Sequence, residues 1–87
     1  MDIKEKSHAL KPIMQIGKSG ISESVLLEVS KHLKKRKLIK VKLLSTFLAE
    51  QELLGKHKEE IAQQLAKDTN AQLVQVVGNV VTLCTTR

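Results

Sequence analysis

Tryptophan and tyrosine are missing from this chain of 87 residues, and Phe47 is its only aromatic side chain. A protein that reads single-stranded nucleic acid by stacking bases on a platform needs several such rings. That mode is excluded, and Phe47 itself is expected in the core. A single cysteine, Cys84, excludes an internal disulfide and suits a reducing compartment. It stands in an apolar run and reads as a small buried hydrophobe, not a nucleophile. No apolar run approaches the length of a membrane span, and the opening "MDIKEKSHAL" lacks the apolar core of a signal peptide. A cytoplasmic protein without a membrane partner is expected.

The chemistry of catalysis is equally thin. His8, His32 and His57 fall in three different elements without metal-ligand spacing, and the lone thiol has no second thiolate to work with. Seven of the nine acids, Asp2, Glu5, Glu28, Glu52, Glu59, Glu60 and Asp68, are interleaved with lysine, as on solvated helix faces. No two carboxylates suggest an acid and a base held apart in pKa. No enzyme activity, metal, cofactor or small-molecule substrate is expected.

What the chain has is positive charge. Fifteen lysines and arginines stand against nine acids, a net charge of +6. Such an excess on a small protein points to nucleic acid or another anionic surface. The length suits a single domain, 1–87, with no repeat or linker inside it.

Ile3 to Leu10 is a short charged helix candidate, closed by Pro12, which disfavours helical geometry at Lys11. "PIMQI" follows as a short strand, then the loop "GKSG". Ser22 is placed to cap the next helix, with Ile21 positioned to staple against Leu26 and Glu23 close to the positive helix end. Val25, Leu26, Val29 and Leu33 form one helical stripe. "LIKVKLL" alternates, with Ile39, Val41 and Leu43 on one face and Lys40 and Lys42 on the other. Between Ser45 and Gly55 a helix is expected to start near Phe47 and to be interrupted by Gly55. Ile61, Ala62, Leu65 and Ala66 mark an amphipathic helix from Lys56 to Thr69, and "AQLVQVVGNVVTLCTT" reads as a hairpin turning at Gly78-Asn79. The order α-β-α-β-α-β-β predicts an α/β protein of two layers, a four-stranded mixed sheet with helices packed on it. The two strand-helix-strand crossovers imply parallel pairing, and the hairpin adds an antiparallel strand.

The stretch "QIGKSG" resembles the tail of a phosphate-binding loop for nucleotides. Such a loop needs a glycine where this chain has Pro12, which supplies no backbone N–H to a phosphate cradle. The two aspartates, Asp2 and Asp68, end no apolar strand where they could hold magnesium. A nucleotide triphosphatase is excluded. The context still favours an anion: Gly17, Lys18, Ser19 and Gly20 lie between a strand and a capped helix whose first N–H groups are unpaired. From Lys31 to Lys42 seven of twelve residues are basic and none is acidic: Lys31, Lys34, Lys35, Arg36, Lys37, Lys40 and Lys42. A helix end accounts for the first of these, but not for lysines two apart on a strand. Together they read as a surface that follows phosphates.

In order and spacing, "LKPIMQIGKSGISESVLLEV", "LIKVKLL" and "AQLVQVVGNVVTL" resemble the CRM domain (chloroplast RNA splicing and ribosome maturation) in its stand-alone YhbY-like form. The resemblance covers about Ala9 to Leu83. It implies a fold similar to the C-terminal domain of bacterial initiation factor three and a G-x-x-G loop, here Gly17 to Gly20, comparable to that of KH domains. It further implies binding to precursors of the large ribosomal subunit or to structured intron RNA. The pattern departs at the end of the last strand. Bacterial stand-alone members carry an aromatic and an arginine there, where this chain has Cys84 and Thr85, with Arg87 left as the substitute. The expected function is therefore recognition of structured RNA, most of all ribosomal RNA, by the "GKSG" loop and the adjacent basic surface. The rivals are a small basic DNA- or chromatin-binding protein and a module that binds an acidic protein partner.

Overall fold

The computed structural model describes residues 11–17 and 20–85. The elements in order are β1 (Met14–Ile16), α1 (Glu23–Arg36), β2 (Leu38–Leu43), α2 (Ser45–Leu53), α3 (Lys58–Asp68), β3 (Ala71–Val77) and β4 (Val80–Thr85). The helix expected over Ile3 to Leu10 lies outside the described residues.

Helix α1 starts as its sequence requires. Ser22 is extended (φ −105°, ψ 172°), and its Oγ accepts the Val25 N–H at 3.4 Å. Glu23 in the first turn and Lys34, Lys35 and Arg36 in the last complement the helix dipole. Lys37 ends the helix in the left-handed region at φ 64°, donating its N–H to the Leu33 carbonyl at 2.9 Å. That sharp exit reverses the chain directly into β2. The stretch after β2 forms α2 from Ser45, two residues ahead of the expected start, and runs to Leu53, with Gly55 in the turn beyond it. Its one buried side chain is Phe47.

The strand order is β1-β2-β4-β3. β1 pairs parallel with β2, as the first crossover predicts. The second crossover differs from expectation. β3 runs in the direction of β2, but β4 lies between them, antiparallel to both. The two-residue turn at Gly78-Asn79 (Gly78 φ 57°) keeps β3 beside β4, and which of the two meets β2 is decided by core packing. β4 can in turn match its buried Val81 and Leu83 to Val41 and Ile39 of β2.

One apolar cluster joins the layers. Val29 and Leu33 of α1, Phe47 of α2, and Ile61, Ala62, Leu65 and Ala66 of α3 pack with Ile16, Ile39, Val41, Leu43, Val81 and Leu83 of the sheet. Each large side chain buried there contributes about 1.5–3 kcal/mol. Cys84 is free and buried, and Phe47 is 3% exposed, so both sit where the sequence places them. No described helix is long and apolar enough to cross a membrane.

Candidate nucleic-acid interface

The parallel pairing of β1 and β2 brings their carboxyl ends level: Ile16 is opposite Leu43, and the Leu44 N–H donates to the Ile16 carbonyl at 2.9 Å. The hairpin turn joins the same end, since the Leu43 N–H donates to the Asn79 carbonyl at 2.7 Å and Lys58 Nζ to the Gly78 carbonyl at 2.9 Å. Here the glycine loop begins. The Gly20 N–H donates to the Gly17 carbonyl at 2.8 Å, closing the stretch before α1. Gly20 has φ 71°, a conformation that side-chain-bearing residues rarely adopt. At Gly17 a β-carbon would stand 2.9 Å from Leu44 Cδ1, so a side chain there would require the end of Leu44 to shift. Lys18 and Ser19 lie outside the described residues.

The basic run, contiguous in sequence, is divided in space. α1 leads away from the loop over 14 residues, so its last turn is about 20 Å from the end that begins beside Gly20. Lys31, Lys34, Lys35 and Arg36 are exposed along the second half of that helix. Lys40 and Lys42 alternate with Ile39, Val41 and Leu43, which enter the core under the helices; the two lysines therefore belong to the opposite face of the sheet. Lys42 is exposed, and Lys40, paired across to Thr82, is half-buried. Of the expected site residues, the structure brings Lys42 to the loop end of the sheet beside Gln15, while the α1 group occupies a separate sector.

One basic residue escaped the sequence reading. Lys11 and Lys42 line the same hollow with Pro12, Ile13, Met14 and Gln15. Lys11 precedes a proline outside the dense basic run; only the β1–β2 pairing reveals it as Lys42's neighbour. The sequence reading also missed a cleft of about 380 Å³ on the other side of the loop, lined by Gly20, Ile21, Phe47 and residues of α3. No periodicity could have joined those segments. Among the described residues no cluster of three or more His, Cys, Asp or Glu could hold a metal ion. His32 lies on α1 and His57 precedes α3.

The chain is 46% identical over 81 residues to "Probable RNA-binding protein MJ0652" of Methanocaldococcus jannaschii, covering 93% of this chain and 56% of that relative. It thus spans little more than half of that longer protein. It is 35% identical over 81 residues to "Probable RNA-binding protein YqeI" of Bacillus subtilis, covering 93% and 77% of the two chains. Its fold is similar to the solution structure of hypothetical protein SAV1595 from Staphylococcus aureus, with a TM-score of 0.71 and 29% identity over 98% of this chain and 81% of that one. The family model for the CRS1 / YhbY (CRM) domain matches residues 1–84, and the chain belongs to that family.

Proposed function

We propose that this chain binds structured RNA without catalysing a reaction, and that its target is ribosomal RNA in precursors of the large subunit. The observation that carries the reading is the strand, glycine loop and capped helix set at one end of the sheet, with Lys42 near that end and Lys11 in the hollow that runs from Lys42 along β1. The names of the relatives from M. jannaschii and B. subtilis support an RNA partner. In this reading a phosphate rests on the N–H groups that open α1, with Lys18 adding charge. Lys40 and Lys42 on one side, and Lys31, Lys34, Lys35 and Arg36 on the other, neutralise further phosphates. The only aromatic side chain is buried, which leaves no aromatic platform for stacking bases and gives backbone and shape the main part in recognition. Two basic sectors on different faces suit a folded RNA that curves around the β1 edge.

A paired titration tests this. Large-subunit ribosomal RNA fragments and duplex DNA of similar charge are titrated with the protein at several salt concentrations. One RNA fragment is expected to keep tight binding as salt rises while DNA falls away. Equal decay on RNA and DNA would assign all binding to the net charge and remove the ribosomal claim.

A further inference from the structure

The cleft beside the loop has a chemistry unlike the rest of this basic molecule. Gly20 and Ile21 come to it from the loop, Phe47 and Gln51 from α2, Lys56 from the turn after α2, and Glu60, Gln64 and Asp68 from α3. Phe47 is almost wholly buried, whereas Glu60, Gln64 and Asp68 are exposed, so the cleft has an apolar base and a polar rim. That rim is rich in acceptors. Gln64 Nε2 donates to Asp68 Oδ1 at 2.7 Å, which leaves the second Asp68 oxygen, the Gln64 amide oxygen and the Glu60 carboxylate to accept from a ligand. Lys56 also reaches this rim, but the two carboxylates outnumber its single charge, so the rim favours N–H donors over a phosphate although it borders a loop that favours anions.

A nucleotide satisfies both demands, with its phosphate on the loop and its base in the cleft. We infer that the cleft takes one unstacked nucleobase bearing an exocyclic amino group, in preference to uracil. The inference rests on the RNA-binding reading. The base lays its apolar face against Ile21 and the Phe47 edge and donates its amino hydrogens to the rim. The cytosine amino group donates to a carboxylate, whereas uracil presents a carbonyl oxygen at the same ring position and is repelled there. The volume lies within the range of small-ligand sites.

The two pyrimidines make a matched test, since they share size and backbone charge. Fluorescence anisotropy of the full chain is measured with labelled oligocytidylate and oligouridylate of about 12 nucleotides. Oligocytidylate is expected to bind more tightly by about fivefold or more. Glu60→Gln and Asp68→Asn each reduce that preference and weaken oligocytidylate binding, although each removes a negative charge. Glu59→Gln is the control: it makes the same charge change in the same first turn of α3 but lies outside the cleft, and it strengthens both oligonucleotides equally. Equal affinity for the two oligonucleotides overturns the inference. So does a Glu60→Gln variant that behaves like Glu59→Gln. If ribosomal RNA fragments bind but the pyrimidines are not distinguished, the cleft assignment fails alone; if no RNA binds, both readings fail.

Discussion

Gly20 rests against the ring of Phe47: a β-carbon on Gly20 would stand 3.6 Å from Phe47 Cε1, at ordinary contact distance. The end of the glycine loop is thereby seated on a core side chain from α2. The one aromatic ring serves the loop from beneath instead of stacking on a base.

The two glycines of the loop are expected to respond differently to alanine. At Gly20 the added methyl has room, but φ 71° is left-handed, so Gly20→Ala costs about 1–2 kcal/mol through the backbone. Gly17 has no positive φ, and its methyl would meet only the end of the Leu44 side chain, which can turn aside. Gly17→Ala is therefore expected to be the milder change. Denaturant midpoints of the two variants check this; the reverse order would show that packing, not φ, governs the loop.

Phe47→Ala is expected to destabilise the fold by about 3–5 kcal/mol, the range for emptying a buried aromatic site. Phe47→Leu keeps most of the apolar volume and costs much less. The informative measurement is RNA affinity of the leucine variant under conditions where it is fully folded. A loss there separates support of the loop from general stability; unchanged affinity would show that Gly20 does not need its seat.

Much of this fold was legible in short-range chemistry. The Ser22 cap, the alternation of β2 and the Gly78-Asn79 turn each depend on residues a few positions apart, and all appear in the structure. The placement of β4 against β2 was not legible, because it is decided by side chains some forty positions apart in sequence meeting in one core. The same limit applies to the site. A run of lysines looks like one patch on paper, yet the left-handed exit at Lys37 and the face alternation of β2 divide it. The relation between Lys11 and Lys42, and between Gly20 and Glu60, exists only after folding.

Ser22→Ala tests the entry to α1. Cap removal typically costs about 0.5–2 kcal/mol, and the 3.4 Å length of the Ser22 bond places this one at the lower end. Thermal melts read the stability change directly. RNA affinity is expected to fall as well, because the same first turn supplies the N–H groups assigned to a phosphate. A variant with lowered stability and unaltered affinity would move the phosphate away from this helix end.

The division of the basic run makes the sharpest prediction for RNA binding. Lys40 and Lys42 lie on the sheet face opposite the helices, whereas Lys34 and Lys35 lie on α1. If a folded RNA engages both sectors, each Lys→Ala change lowers the magnitude of the log K against log salt slope by about 0.7–0.9. The double variants Lys40→Ala/Lys42→Ala and Lys34→Ala/Lys35→Ala then add in their effects on affinity, since distant sites behave independently. Lys11 and Lys42 share one hollow, so Lys11→Ala and Lys42→Ala are expected to fall short of additivity, as two cations on a common phosphate must. A silent α1 pair would confine the RNA to the loop and sheet face, and full additivity of Lys11 with Lys42 would give each lysine its own phosphate.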